Sequence, residues 1–464
     1  MAEPVSQPGL KWELNKYFEA EPTWTHDPDV EVIIQLAREH LSLKQEDRCT
    51  ADYYMQGALN RIYLVRCPRD SDNEKSYIFR VSLPIDPRFK VSSDVATMKF
   101  IRAHTSAPVP KVLAFDSSHE NKLGFAWTIM EMVPGRPLAE QWGNISSDQR
   151  IKLVRTMANI FAQVFRHQFK GIGNLYKATR TPPNVMPRGL DRHPANGITW
   201  CNDGDAGPDF STSDSSSGSE ESTDLSEFHL GRLVSMSFIW HKRVNYRVER
   251  GPFTTDFDWL AARIDLVVQD SDEIINDKEC AEEQKRVATK HKSIATRLRK
   301  QLPHFFHNED KFLLPDATER VTKNTALHHY DTSGFNVMTD AEGELTALLD
   351  WDGVSTVPLW KACQMPEFLS STFIDEYGDD TPPSQAKSQA IATDKERLRN
   401  VFLEEMKRID PAWVDIYKNS LRQTDFDKAV QLCDSFFQAD HVAEWVQHLE
   451  EEEEYWSLQQ RLLG

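Results

Sequence analysis

Apolar residues change their spacing several times along the 464-residue chain, and each change marks a predicted element. In Asp29-Val30-Glu31-Val32-Ile33-Ile34-Gln35-Leu36-Ala37, Ile33, Leu36 and Ala37 share one helical face, which should pack on the lobe that follows. From Tyr53 to Val133 short runs rich in β-formers take over. Ile62–Arg66, Ser76–Val81, Lys111–Phe115 and Phe125–Met130 predict the strands of a small sheet. Between them Ser92 to Ala103 reads as a helix, with Val95, Met98, Phe100 and Ile101 apolar. Ser146-Ser147-Asp148-Gln149 then forms a capping box, and Ile151, Val154, Ala158, Phe161 and Phe165 follow at helical spacing as a core stripe.

The periodicity dissolves from about Lys177 to Glu227 into Pro, Gly, Ser and acidic residues, which predicts a disordered insert. Its serines precede Asp or Glu densely enough to suit an acid-directed kinase, although a simple linker explains them as well. Order returns at Leu230, with helices predicted over Met236–Trp240 and Phe257–Ile264. A charged helix follows over Asp277 to Leu302, whose interleaved acids and bases argue against a nucleic-acid surface. A polar loop to about Thr393 leads to terminal helices around Leu398 to Met406, Phe426 to Phe437 and Val442 to Leu458. Glu450 to Glu454 reads as a solvated helical face. Gly171-Ile172-Gly173-Asn174 follows a helix without preceding one, so a turn explains it better than a phosphate loop.

The candidate chemistry lies in His328-His329-Tyr330-Asp331-Thr332-Ser333-Gly334-Phe335-Asn336 and in the two runs that follow. Val337-Met338-Thr339 and Leu345 to Leu349 flank an acidic turn, Asp340-Ala341-Glu342-Gly343, and predict a β-hairpin ahead of Asp350-Trp351-Asp352. A hairpin brings its ends together. Asn336 and Asp350 therefore offer a carboxamide oxygen and a carboxylate to a common point, a donor set suited to a hard cation. Asp331 sits in the loop leading in, free to face a substrate hydroxyl as a base.

This His-x-Asp-x4-Asn pattern followed by Leu-Leu-Asp-Trp-Asp resembles the aminoglycoside phosphotransferase family, within the protein-kinase-like phosphotransferases. Its fungal branch also shows segments similar to Val357-Pro358-Leu359-Trp360-Lys361-Ala362-Cys363-Gln364 and to Val248–Phe253. The resemblance implies an α+β, bilobal protein-kinase-like fold. It would comprise an N-terminal extension with a helix over 1–52, an antiparallel-sheet N-lobe over 53–133, and a larger, mostly helical C-lobe over 134–464 that the insert interrupts. It further implies ATP as phosphoryl donor, Mg2+ on Asn336 and Asp350, Asp331 as catalytic base and His329 as a brace of the same loop. The acceptor would be a hydroxyl of a small molecule, of a kind the sequence does not identify.

Three parts of the nucleotide site carry over with departures. Gly57 and Asn60 lie where a phosphate-covering loop turns between strands, but with one glycine instead of three, and an ordinary hairpin turn reads equally well. Arg80 stands in the third strand where the kinase pattern has Lys, and Asp94 stands where it has Glu. The two can form a bidentate fork or only a surface ion pair. Glu131 and Met132, ahead of Pro134-Gly135, resemble the interlobe linker where adenine bonds to backbone.

Composition narrows the rest. A chain of this length with 39% hydrophobic residues, twelve Trp and 24 Phe fills a sizeable core and suits two lobes or more, despite a mean hydropathy of −0.56. The net charge of −18 repels nucleic acid and anionic membranes, so neither is an expected partner. Six scattered cysteines suggest no zinc site or disulfide framework and fit a reducing compartment. No apolar signal core, import-like Arg-rich stretch or membrane span is read, so a cytoplasmic location is expected, although some relatives in the family are associated with mitochondria. Two other classes compete with an enzyme: a non-catalytic nucleotide-binding scaffold of kinase-like fold, which the sparse glycine loop and Arg80 favour, and an interaction protein using the acidic insert and tail.

Overall fold

The computed structural model describes residues 7–17, 19–44, 46–69, 73–177, 227–306, 324–370, 385–451 and 454–463. The Ser-rich part of the predicted insert and most of the polar loop before Thr393 lie outside the described residues.

A hairpin that the sequence pattern did not predict opens the fold, β1 (Leu10–Leu14) with β2 (Ala20–Trp24), and α1 (Val30–His40) follows. The Asp29 side chain caps α1 by accepting the Glu31 N–H at 2.9 Å, a contact worth about 1 kcal/mol. Ile33, Leu36 and Ala37 are buried on the predicted face. They pack with Phe79, Val81, Trp127 and Ile129 on one side of the small sheet, each large side chain adding roughly 2 kcal/mol.

That sheet is antiparallel throughout, in the order β3 (Thr50–Gln56), β4 (Asn60–Arg69), β5 (Asn73–Ser82), β7 (Ala126–Glu131), β6 (Val112–Asp116). Between β5 and β6 runs α2 (Phe89–His104), which begins three residues before the predicted Ser92. The period of two along β5 turns Phe79 and Val81 toward α1, and Arg80 and Ser82 to the opposite face. Cys49 and Cys67, eighteen residues apart, come within 3.5 Å sulfur to sulfur at the base of the β3–β4 pair and remain free thiols.

Beyond Pro134-Gly135 the chain makes β8 (Arg136–Pro137), α3 (Leu138–Gln141) and α4 (Ser147–Arg166). Ser146 and Gln149 close the predicted capping box on α4, and Val154, Ala158 and Phe165 are buried. Next come β9 (Gln168–Phe169), β10 (Asn174–Lys177), β11 (Phe228–Gly231), α5 (Met236–Ile239), α6 (Asp256–Asn276) and α7 (Glu282–Phe305). The charged helix predicted over Asp277 to Leu302 therefore starts five residues later. Asp277 instead ends α6 in an extended conformation, and the Gln284 side chain opens α7 by accepting the Ala281 N–H at 2.8 Å.

After β12 (Thr325–His328) come the predicted hairpin, β13 (Val337–Thr339) with β14 (Leu345–Leu348), and then β15 (Ser355–Pro358). Strands β11-β10-β15-β12-β9 form one sheet and β14-β13-β8 another. Helices α8 (Leu359–Ala362), α9 (Glu367–Ser370), α10 (Gln385–Ile409), α11 (Pro411–Asn419), α12 (Leu421–Leu432), α13 (Ala439–Glu450) and α14 (Leu458–Leu463) complete the helical part. Two predicted helices ran too far. The first stops at Leu432, before the exposed Phe436 and Phe437, and the second at Glu450, so Glu451 and Glu454 lie outside the helix, while residues 452 and 453 fall outside the described residues.

The linker between the lobes is seated on the hairpin. Strand β8 pairs with β13, Met338 opposite Pro137, and the Thr346 hydroxyl donates to the Pro134 carbonyl at 2.7 Å. Gly135 has φ +101°, and a Cβ there would lie 2.5 Å from the Thr339 carbonyl oxygen. Gly135→Ala is expected to destabilise the protein by about 2 kcal/mol, seen as a lower thermal midpoint. An unchanged midpoint would show that the linker is not clamped there.

Candidate active site

The predicted hairpin end is closed by a backbone bond, Leu349 N–H to the Asn336 carbonyl at 2.8 Å, which sets the backbone at Asn336 beside that at Leu349 and Asp350. The Asn336 amide nitrogen donates to the Asp331 carbonyl at 3.1 Å, which ties the loop to the hairpin and leaves the carboxamide oxygen for another partner. Asp331 is half-buried. One of its carboxylate oxygens accepts the Ser333 N–H at 3.4 Å, and among the described residues the other has no hydrogen bond.

His329 holds the loop from behind. Its Nε2 lies 2.8 Å from the Leu349 carbonyl and therefore carries the proton, while the ring packs edge-on against Trp351, with centroids 4.6 Å apart. Burial pushes its pKa below the usual imidazole value, outweighing Leu349 and Asp331, so the ring is neutral. Its neighbour His328 is pushed down to about 3, chiefly by burial.

Asp350 sits in the left-handed region, φ +57°, a conformation that side chains other than Gly adopt only at a price in backbone energy. The residue keeps an open edge to solvent, and its carboxylate makes no hydrogen bond or ion pair among the described residues. Partial desolvation of the carboxylate and the nearby Asp352 charge push its pKa up to about 7, against the pull of Arg80 and Lys90. An unpaired carboxylate in such a field is a group that a divalent cation stabilises.

On the N-lobe side, Arg80 and Asp94 come no closer than 3.6 Å, so the bidentate fork allowed by the sequence is not formed. Arg80 instead bonds the Asp352 carboxylate through Nη1, while among the described residues its buried Nε and Nη2 make no hydrogen bond, only the longer Nη2 ion pair to Asp94. Asp94 accepts Lys90 Nζ at 2.9 Å and the Gly353 N–H at 3.0 Å. Lys90 Nζ also reaches Asp352 at 2.6 Å, and so does the Asn60 amide at 2.5 Å. Asn60 in turn accepts the Ser82 hydroxyl, its cross-strand partner, at 2.8 Å. Arg80, Lys90, Asp94 and Asp352 thus form a closed ring of alternating charge, 5%, 2%, 1% and 8% exposed. Against the upward pull of burial, Arg80 and Lys90 hold the Asp352 carboxyl well below the usual carboxylate range.

Lys90 and Asp352 did not emerge from the sequence pattern as site residues. Lys90 lies four residues before Asp94, the helical spacing of an ion pair, but a helix started at Ser92 leaves it outside. Gly57 makes the loop turn, with its N–H on the Asn60 carbonyl at 2.9 Å, and a Cβ there would meet nothing within 4 Å. Glu131 ends β7 with its carboxylate on the Lys111 N–H at 2.9 Å and near Arg102, while Met132 is exposed in the linker. Asn174 seats α2 against the far side of the site, donating to Ser93 Oγ and to the Val354 carbonyl at 2.9 Å each. Among the described residues no helix is long and apolar enough to cross a membrane.

Comparison with known proteins gives this geometry a context. Residues 54–360 match the family described as Phosphotransferase enzyme family. A subtelomeric hrmA-associated cluster protein of Aspergillus fumigatus is 30% identical over 123 residues, which are 26% of this chain and 23% of that protein. The mitochondrial "altered inheritance of mitochondria protein 9" of Lachancea thermotolerans is 22% identical over 320 residues, 65% of this chain and 47% of the relative. The matched region thus spans less than half the length of either. Among solved structures, the streptomycin–ATP–APH(2")-IIa ternary complex aligns over 90% of this chain and 97% of its own, with 11% identity and a TM-score of 0.41. ADP-bound aminoglycoside phosphotransferase APH(2'')-Ib aligns over 90% and 97%, with 13% identity and a TM-score of 0.41. With well over half of its residues inside the family match, and with an antiparallel N-terminal sheet joined to a helical C-terminal region, the chain belongs to the phosphotransferase enzyme family and has its α+β, protein-kinase-like fold.

Proposed function

We propose that this protein is an ATP-dependent phosphotransferase that moves the γ-phosphoryl group to a hydroxyl of a small molecule. The observation that carries the reading is the clustering of three groups whose hydrogen-bonding capacity is unused among the described residues: the Asp350 carboxylate, the Asn336 carboxamide oxygen, and the buried Arg80 guanidinium with two nitrogens that make no hydrogen bond. Leaving the two buried Arg80 donors without a hydrogen bond costs about 1–3 kcal/mol each, which an anion with several oxygens removes, while the two oxygen acceptors suit a cation bound beside that anion.

These residues fit a nucleotide and its metal. Asn336 and Asp350 would hold Mg2+, whose other ligands are ordinarily water and phosphate oxygens; when bound, the ion neutralises charge developing on the phosphates. Arg80 would orient the phosphates from β5. The backbone of the linker at Glu131 and Met132 would receive the adenine, and Asn60 with Gly57 would cover the phosphates. Asp331 would bind the acceptor hydroxyl through its unbonded oxygen and take its proton as the new P–O bond forms and the bond from the γ-phosphorus to the bridging oxygen breaks, with ADP as the leaving group. His329, neutral and bonded to the Leu349 carbonyl, positions that loop and takes no part in proton transfer.

The test is a thermal-shift titration of the full chain with Mg-ATP, followed by a screen for γ-phosphate transfer to amino alcohols, sugars and aminoglycosides. Binding with transfer supports the proposal. Binding without transfer to any acceptor class would instead indicate a nucleotide-binding scaffold, and absence of binding would refute both.

A further inference from the structure

We propose that Lys90 is a phosphate-binding residue, and that Asp352 occupies, in the nucleotide-free protein, the position that a nucleotide phosphate takes between Lys90 and Arg80. The proposal rests on the phosphotransferase reading above and adds a cation that the family pattern, with its single third-strand position, does not assign.

Three elements aim donors at the one Asp352 carboxylate: Asn60 from the start of β4, Arg80 from β5 and Lys90 from the first turn of α2. Two of them are cations, one on each oxygen: Arg80 on Oδ1 and Lys90 on Oδ2. A phosphate edge presents two oxygens at nearly the spacing of a carboxylate, so the receptor that grips Asp352 has the shape and charge to grip a phosphate.

The grip is incomplete. A guanidinium has five N–H donors, and among the described residues the buried Nε and Nη2 make no hydrogen bond, Nη2 stopping 3.6 Å from Asp94. An ammonium has three, and Lys90 places two on Asp94 and Asp352. A carboxylate has too few oxygens to satisfy these donors, whereas a diphosphate carries enough.

Burying Lys90 serves this use. At 2% exposure its four-carbon stem is fixed by packing, and Asp94, itself anchored on Gly353, orients the ammonium. Burial favours the neutral amine, but Asp352 and Asp94 outweigh it and lift the pKa above the ordinary lysine value, so the charge is kept. In the bound state Asp94 remains as the partner of Lys90, the phosphate replaces Asp352, and Asp352 turns toward the metal side beside Asp350. No bond is made or broken in this exchange.

The experiment compares ADP, with and without magnesium, against adenosine, by calorimetry on the full chain. Lys90→Gln should weaken ADP at least tenfold in EDTA while adenosine affinity stays within twofold. Lys90→Arg should recover most of the loss, and Asp352→Asn, which removes the internal competitor, should tighten ADP severalfold in EDTA. If Lys90→Gln lowers ADP and adenosine affinity equally, or neither, Lys90 does not touch phosphate and the proposal is overturned. Weaker ADP binding by Asp352→Asn in EDTA would overturn the placeholder role. If the wild-type chain binds no Mg-ADP, the phosphotransferase reading itself fails. Should Lys90→Gln not fold, Lys90→Met, which keeps the length of the stem without the charge, decides: a loss of ADP affinity with adenosine unchanged supports phosphate contact, and no loss, or an equal loss of both, overturns it.

Discussion

Asp331→Asn is expected to lower the rate of phosphoryl transfer by about two to four orders of magnitude, with affinity for Mg-ADP changed by no more than a few fold. The contacts that hold the loop do not depend on the carboxylate's charge. Asn336 donates to the backbone carbonyl of residue 331, His329 bonds the Leu349 carbonyl, and a carboxamide oxygen still accepts the Ser333 N–H. What the substitution removes is the acceptor for a hydroxyl proton. Initial rates with an acceptor from the screen, set beside an ADP titration, separate the two effects. A variant as fast as wild type would refute the assignment of Asp331 as base, and a parallel loss of ADP binding would show that it holds the nucleotide instead.

Asp350→Ala should abolish the part of nucleotide binding that depends on magnesium, a loss on the order of a hundredfold. Without metal the sign reverses. Asp350 then only repels phosphate, so in EDTA the variant should bind ADP at least as tightly as wild type. The fold should tolerate the change, because the Asp350 carboxylate makes no hydrogen bond among the described residues and alanine removes no partner from another group. Calorimetry with and without magnesium reads both arms. A variant that keeps the full magnesium increment would move the metal site elsewhere.

The parts of the fold legible in the sequence are those where one local signal decides the outcome. Ile33, Leu36 and Ala37 define the buried face of α1 by spacing alone, and Ser146 with Gln149 marks the start of α4 because a capping box is a four-residue device. The hairpin from Val337 to Leu348 follows from two β-forming runs around a Gly-terminated turn. Helix ends set by tertiary contacts carry no such local signal. Nothing polar caps α2, whose N-cap position is Arg88 at φ +72°, so no local mark announces its first turn, and Lys90 was lost with it. The tail after Glu450 kept a helical composition, yet Tyr455 and Ser457 leave the helix to bond the buried Asp425. Of the candidate site, the Asp331, Asn336 and Asp350 cluster is sequence-local and was readable. The ring joining residues 80, 90, 94 and 352 spans about 270 positions and depends on how the two lobes meet.

The docking of the interlobe linker on β13 has a mechanical consequence. The strand that β8 borders begins one residue after Asn336, and the Thr346 hydroxyl that grips Pro134 stands on the returning strand, four residues before Asp350. On the phosphotransferase reading proposed above, spreading the lobes to discharge a spent nucleotide would pull at once on Asn336 and Asp350, the two sides of the proposed metal seat. Departure of the diphosphate and loosening of the ion would then be a single event, with the width of the mouth setting how firmly the metal is held.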